Sequence, residues 1–270
     1  MFAENFSRII APRAIRLGVP PHLAAQLCSV RGEFENERRA IAYCMAYAWN
    51  HFASFKTAIR SLDVRAHELP RSPLIVDIGC GPGTAFIALG EWLLEARGMC
   101  SDVRYIGIDR SEHMRNIAAK FSSDTSLFRP FDAVLIASCE DLTKNVVVAQ
   151  TAGRDGIVVT LSYVLHQDFM VDGQAFRQVV QALSGSRLPI WVLAQDANLP
   201  QIDEKNIEVW PETRLRAMLD PVESFGYRAR FWARRFESSV FQLDAVGNAT
   251  LLPATGHQGT KAIAVRLDPA

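Results

Sequence analysis

Val76-Asp77-Ile78-Gly79-Cys80-Gly81-Pro82-Gly83-Thr84 reads as the end of a buried strand, a glycine-rich turn and the start of a helix. Glycine serves such a turn for a physical reason. A ligand that lies against the backbone needs positive φ angles and no Cβ in its way, and the helix that follows offers free N–H groups at its N-terminus. A nucleotide or nucleoside suits that geometry. The glycines stand at Gly79, Gly81 and Gly83, a G-x-G-x-G spacing, whereas the dinucleotide fingerprint would place its third glycine where this chain has Thr84. Asp77 adds a second difference, because a carboxylate at the strand end repels a pyrophosphate and suits a cation. The spacing therefore disfavours NAD.

Outward from this turn, short aliphatic or β-branched runs predict strands at Leu74–Ile78, Val103–Ile108, Ala133–Ser138, Ile157–Leu161 and Ile190–Ala194. Thr84 to about Arg97, Ser111 to Phe121 and Gly173 to Leu183 read as helices, with Ser111 as an N-cap and Glu112 in the first turn. Trp210-Pro211-Glu212 opens another helix with proline at its first position. Strands and helices alternating in this way build a parallel sheet with crossover helices. Tyr227–Phe236, Ser239–Leu243 and Ala262–Leu267 are further strand candidates, and the last pieces are expected to form an antiparallel hairpin on the sheet edge. The predicted fold is α/β: a Rossmann-like doubly wound sheet, mostly parallel with an antiparallel C-terminal hairpin strand, plus an N-terminal helical cap.

The prolines of Leu69-Pro70-Arg71-Ser72-Pro73 fix an extended connector, which divides the chain into a helical segment, 1–70, and the sheet domain, 71–270. In the first segment Ile41, Met45, Ala48, Phe52, Phe55 and Ile59 recur at steps of four and three, so one helix from about Glu35 to Leu62 carries a continuous apolar stripe. The stripe is expected to pack on the following domain, with a homodimer surface as the other use for it. Tyr43, Tyr47 and His51 fall at i, i+4 and i+8 on a neighbouring face, where they line a pocket or simply pack on the helix surface.

Composition bounds the functional classes. The 270 residues carry 29 Lys+Arg against 29 Asp+Glu, so the formal net charge is zero, and the whole-molecule attraction that a dedicated nucleic-acid binder has for phosphate is missing. Cys28, Cys44, Cys80, Cys100 and Cys139 are odd in number and contain no C-x-x-C pair, which argues against a zinc or other metal site and for a reducing, cytoplasmic compartment. No uninterrupted apolar stretch reaches the roughly 18 residues that span a bilayer. Glu4 and Arg8 interrupt the place where a signal peptide has its apolar run.

The second acid is Asp109, in Tyr105-Ile106-Gly107-Ile108-Asp109-Arg110-Ser111, which closes the second strand where a ribose-binding carboxylate belongs and can accept both ribose hydroxyls. With Asp77 and the G-x-G-x-G turn, these residues resemble the class I S-adenosylmethionine-dependent methyltransferases over roughly Pro73 to Asp196. The resemblance implies S-adenosylmethionine as cofactor. Gly79, Cys80, Gly81 and Gly83 would then pass under its methionyl part and ribose, Asp77 would sit near the amino-acid end, Asp109 would hold the ribose, and Arg110 and Met114 would flank the adenine. In Ala137-Ser138-Cys139-Glu140-Asp141-Leu142 the family's acid is replaced by Ser138, which leaves Cys139 and Glu140 for the adenine.

Ser162, Tyr163 and His166 follow the fourth strand, and ligands in open α/β sheets lie outside the carboxyl ends of strands, so Ser162 and Tyr163 are expected among the cofactor's contacts. Methyl transfer from a sulfonium is an in-line displacement, so few side chains are needed beyond those that align the reactants, and an acceptor that must lose a proton needs one base. His166 is the candidate, with Tyr163 or His51 as substitutes. The helical cap then encloses the substrate, with Tyr43, Tyr47 and His51 in contact with it. The expected reaction is methylation of an oxygen or nitrogen of a small molecule, as in secondary metabolism. The chain lacks the Asn/Asp-Pro-Pro-Tyr tetrapeptide of methylation at exocyclic amines of DNA.

Two alternatives stay open. Arg39-Ala40-Ile41-Ala42-Tyr43, Asp77–Thr84 and Leu161–Leu165 are also similar to ribosomal-small-subunit methyltransferase-like proteins, whose metal-binding cysteine cluster is missing here, and Tyr227–Arg235 is a basic, aromatic-interleaved stretch that could serve RNA. The other is a non-catalytic protein that keeps the fold.

Overall fold

The computed structural model describes residues 2–28, 34, 36–62, 64, 66–98, 102–123, 131–165, 170, 173–197, 201–202, 208–237, 240–243, 249–252 and 259–270. His166 and Cys100 lie outside them, as do most of residues 198–206.

The first segment folds as α1 (Phe2–Ile9), α2 (Ala11–Arg16), α3 (Pro21–Leu27), α4 (Glu37–Tyr43) and α5 (Trp49–Ser61), with a π turn over Cys44–Ala48 joining the last two. The single helix expected from about Glu35 to Leu62 is therefore present but changes its hydrogen-bond period midway. Its start is explained locally, since the Asn36 side chain accepts the Arg39 N–H as an N-cap. The apolar stripe is buried as the periodicity requires: Ile41, Met45, Ala48, Phe52, Phe55 and Ile59 are all inside. Each of these side chains except Ala48 contributes about 1.5–3 kcal/mol of burial free energy.

The second segment runs β1 (Pro73–Ile78), α6 (Thr84–Arg97), β2 (Val103–Ile108), α7 (Glu112–Ser123), β3 (Phe131–Ile136), α8 (Lys144–Thr151), β4 (Gly156–Ser162), a helix Gln174–Ser184, β5 (Ile190–Ala197), β6 (Gln201–Ile202), β7 (Glu208–Val209), a helix Pro211–Leu219, β8 (Tyr227–Glu237), β9 (Val240–Leu243), β10 (Ala249–Leu252) and β11 (Gly259–Pro269). The main sheet has seven strands in the order β3-β2-β1-β4-β5-β11-β8. The first five are parallel, and β11 runs antiparallel between β5 and β8. The expected hairpin at the sheet edge is thus the β8–β11 pair. The strand expected at Ser239–Leu243 does not join this sheet: Val240–Leu243 pairs with Ala249–Leu252 in a separate two-stranded ribbon. The third strand lies two residues earlier than the sequence suggested.

Alternate residues of each strand feed two cores. Ile75, Tyr105, Val158, Trp191, Leu193 and Ala264 face the cap helices, α6 and α7, while Val76, Ile106, Val159, Val192 and Val265 face the helices Gln174–Ser184 and Pro211–Leu219. Helices α1 to α5 share the first of these cores with the sheet. At the joint, Phe2 stacks on Phe52 with ring centroids 4.2 Å apart, and Lys56 of α5 reaches Glu91 and Glu95 of α6 at 2.9 and 2.6 Å. The connector is pinned as well: Asp155 accepts the N–H groups of Arg71 and Ser72, and the Arg97 guanidinium donates to the carbonyls of Ala66, Leu69 and Pro70.

Along β8, Tyr227 is buried and Phe231 and Ala233 pack inward, leaving Arg228 and Arg230 exposed on the other face. Arg230 pairs with Asp268 at 3.7 Å, so part of this basic face is engaged within the protein, and on the opposite face Arg235 lies over the Trp210 ring. Among the described residues no group of His, Cys, Asp and Glu is placed to hold a metal ion, the described cysteines Cys28, Cys44, Cys80 and Cys139 are free thiols, and no helix is long and apolar enough to cross a membrane.

Candidate active site

The strand order reverses between β1 and β4, and the carboxyl ends of these strands form the crevice where open α/β sheets bind ligands. The turn from β1 to α6 supplies its floor. Gly79, Gly81 and Gly83 have φ of 66°, 51° and 82°, all in the left-handed region that glycine adopts without strain. A Cβ built on Gly81 meets nothing within 4 Å, so the backbone there borders open space. Asp109, at the end of β2, reaches across and accepts the Gly81 N–H at 2.9 Å and the Ser111 N–H at 2.8 Å. The acid that closes the second strand therefore also sets the position of the glycine turn.

Asp109 is half-buried. Burial pushes its carboxyl up, while the N–H groups of Ser111 and Gly81 and the charge of Arg115 pull it down. Arg115 in turn donates to the carbonyls of Asp109 and Arg110, which fixes the chain between β2 and α7. Two acceptor bonds leave lone pairs on a carboxylate for further donors such as ribose hydroxyls. Open backbone at Gly81, left-handed glycines, a half-exposed acid and the N-terminus of α6 together fit the ribose and amino-acid parts of S-adenosylmethionine.

Asp77 occupies a different environment. It is 1% exposed and lies in register with Thr160 on β4 and Gly107 on β2. Its carboxylate accepts from Thr160 Oγ1 at 2.7 Å and from the Tyr105 hydroxyl at 3.3 Å, so it ties three strand ends together beneath the turn. Burial is the main cause that pushes its carboxyl up to about 7, with the two hydrogen bonds opposing and the charge of Asp109 adding to it. Cys80 is buried beside this group, and burial pushes its thiol up, which keeps it protonated.

Gly107 explains why the packing is so tight here. A Cβ at this position would lie 2.6 Å from Leu135 Cδ2, 2.9 Å from the Tyr105 hydroxyl and 3.0 Å from Cys80 Sγ. Gly107→Ala is expected to lower the unfolding free energy by about 1–3 kcal/mol through overpacking, measured by urea denaturation. An unchanged midpoint would show that Leu135 and Tyr105 can move aside at no cost.

At the start of α7, Met114 is fully buried and its N–H is capped by Ser111 Oγ at 3.2 Å, as the N-cap reading of Ser111 requires. Arg110 and Glu140 are exposed. Cys139 is buried, which together with the neighbouring Glu140 charge pushes its thiol up to about 12. Ser138 is committed to Asp141: its N–H and hydroxyl donate to the Asp141 carboxylate at 3.0 and 3.1 Å, closing a capping box over Cys139–Asp141.

The structure brings the cap and strand residues into one cluster. Tyr43, Tyr47 and His51 are in mutual ring contact, with centroids 5.2, 5.7 and 6.0 Å apart, and the Tyr43 hydroxyl lies 3.3 Å from His51 Nδ1. His51 then stacks on Tyr163 at 4.4 Å. Burial pushes the Tyr43 phenol up, with smaller contributions from the neighbouring Cys44 and Asp109. Ser162 receives the Gln195 Nε2–H at 2.8 Å. Sequence reasoning did not single out Ser54, Tyr105, Thr160 or Gln195. Thr160 inside the aliphatic run of β4 and Gln195 at the end of β5 are polar residues in buried strands, a signal that could have marked them. Ser54 has none.

A reversing parallel sheet, an antiparallel strand beside β5, three left-handed glycines after β1 and an acid closing β2 are now all in place. The chain has a Rossmann-like α/β fold, a doubly wound and mostly parallel sheet with an antiparallel strand beside β5. Solved structures similar to this chain include an O-methyltransferase family protein from Burkholderia thailandensis, 13% identical with a TM-score of 0.48, covering 85% of this chain and 60% of that one. Another is the mitomycin 7-O-methyltransferase MmcR, 14% identical with a TM-score of 0.46, covering 95% of this chain and 62% of that one. A third is a SAM-dependent methyltransferase from Methanosarcina mazei, 13% identical with a TM-score of 0.40, covering 74% of this chain and 94% of that one. No family model and no curated protein matches the sequence.

Proposed function

We propose that this protein is an S-adenosylmethionine-dependent methyltransferase that modifies an oxygen or nitrogen of a small molecule of the kind found in secondary metabolism. One observation carries the cofactor half of this reading: Asp109 both holds the turn at Gly81 and stays half-exposed beside it, a carboxylate and an open backbone facing the same space. The acceptor half is supported by the ring cluster of Tyr43, Tyr47, His51 and Tyr163, which joins the cap helix to the carboxyl end of β4.

When bound, S-adenosylmethionine supplies a methyl group on a sulfonium. The chain's own residues have three tasks. Gly79, Gly81, Gly83 and Asp109 hold the nucleoside and amino-acid parts; the cap helices exclude water from the strand ends; and His166, which follows β4 in the sequence, takes the acceptor's proton. His166→Ala is expected to lower kcat about 100-fold while leaving S-adenosylhomocysteine affinity within twofold, since general bases contribute about 10²–10⁴ in rate. Unaltered turnover would remove His166 from the mechanism.

The reading is tested by incubating the protein with methyl-labelled S-adenosylmethionine and, separately, a small-molecule extract and total RNA. Label in the small-molecule fraction is expected. Label in RNA alone, with binding that falls steeply with salt, would overturn the acceptor class, and label in neither would overturn the activity.

A further inference from the structure

Two departures from regular backbone geometry meet at one contact. The cap helix carries a π turn at Cys44–Ala48, between Tyr43 and His51 and including Tyr47, and such turns are rare and frequent at functional sites. Opposite it, Tyr163 has φ of 56°, left-handed backbone that side-chain-bearing residues seldom adopt. The rings on these two segments, His51 and Tyr163, stack on each other at 4.4 Å with an interplanar angle of 25°.

Tyr163 is fixed from three sides. Its N–H donates to the Gln195 carbonyl at 2.9 Å, its hydroxyl shares a 2.9 Å hydrogen bond with Ser54 Oγ, and its ring lies on His51. Ser54 and Gln195 are both wholly buried. The Gln195 amide N–H groups donate to Ser162 Oγ at 2.8 Å and to the His51 carbonyl at 3.3 Å, so one side chain joins β4, β5 and the cap helix. A strained residue held this firmly is characteristic of ligand clamps.

The rings of this cluster lie at the rim of the first core rather than inside it. Phe34, Tyr43, Tyr47, His51 and Tyr163 are all only half-buried, whereas Phe2, Phe6 and Phe55 of the same cap are fully inside. Part of these residues' surface therefore remains open where Tyr163 follows the carboxyl end of β4. We propose that this ring cluster is the docking site of a planar aromatic acceptor, with Tyr163 as the specificity-determining residue and Ser54 and Gln195 as its positioning residues. Offset stacking on the half-exposed rings selects a flat π-system over a saturated ring of equal size. The proposal rests on the methyltransferase reading for what happens to the ligand but not for its binding.

The test titrates 2-naphthol, and separately the saturated alcohol 2-decalol, into the full chain with and without S-adenosylhomocysteine, following the His51 imidazole protons by NMR. Saturable naphthol binding with upfield ring-current shifts at His51 is expected, with decalol at least tenfold weaker. Tyr163→Leu should weaken naphthol at least tenfold, and Ser54→Ala and Tyr163→Phe, which keep the rings, at least threefold, with Ser54→Thr restoring affinity. S-adenosylhomocysteine affinity should stay within twofold in the Ser54 variants. Absence of saturable naphthol binding, equal binding of decalol, or wild-type affinity in both Tyr163 variants would overturn the proposal. Loss of S-adenosylhomocysteine binding with naphthol binding intact would instead count against the methyltransferase reading alone.

Discussion

Replacing Asp109 with alanine is expected to weaken S-adenosylhomocysteine binding about 100-fold, which corresponds to about 2.7 kcal/mol. The magnitude follows from what the carboxylate does. It accepts the Gly81 and Ser111 N–H groups at 2.9 and 2.8 Å and is placed to accept the ribose hydroxyls, and each hydrogen bond to a charged group contributes about 1.5–3 kcal/mol. Alanine removes the ribose acceptor and frees the turn together. Asp109→Asn should fall between, since it keeps one oxygen acceptor without the charge. Calorimetric titration of the three proteins checks this; equal affinities would show that Asp109 only shapes the loop.

The second large effect is a pH dependence centred on Asp77. Its folded-state carboxyl, pushed up to about 7 by burial, stands above the ordinary aspartate value of 3.8. Below pH 4 the group is protonated in both folded and unfolded chains and costs nothing. Between about pH 4 and 7 the unfolded chain has lost the proton while the folded chain retains it, so stability falls as pH rises, with a slope of the order of 1.4 kcal/mol per pH unit. Above about pH 7 both states are ionised and the dependence flattens. Asp77→Asn cannot ionise, and the difference in unfolding free energy between wild type and this variant should shrink in wild type's disfavour across that window. Parallel urea denaturation curves at pH 5 and pH 7 measure it. A pH-independent difference would mean that the Thr160 and Tyr105 hydrogen bonds hold Asp77 ionised at both pH values.

The turn, both acids and the strand succession were legible because each is a local pattern. G-x-G-x-G follows a buried run, Asp109 ends another, and the prolines at 70 and 73 mark the connector. The apolar stripe of the cap helix was legible for the same reason, as was the N-cap of Ser111. What escaped was partly local and partly distant in sequence. Nothing in Val146-Val147-Val148, a β-branched run that favours strand, announces α8; Thr143 capping the Val146 N–H and burial of Val147 decide it. The π turn has no sequence mark, since Cys44-Met45-Ala46-Tyr47-Ala48 suits an ordinary helix. The partners of Asp77 come from strands 28 and 83 residues away, so its place under the turn could not be read from its neighbours. Ser54 is the extreme case, joined to Tyr163 across 109 residues. The zero net charge was legible at once, yet its bearing on the acceptor depends on a ring cluster that only the fold assembles.

The central claim is that the space bounded by Gly81 and Asp109 holds the nucleoside of S-adenosylmethionine. The most direct measurement is isothermal titration of S-adenosylhomocysteine into the purified full chain, with NAD titrated in parallel. Saturable one-to-one binding of S-adenosylhomocysteine with Kd below about 0.1 mM, about −5.5 kcal/mol, is expected, and none of NAD. Absence of S-adenosylhomocysteine binding, or tighter binding of NAD, would contradict it.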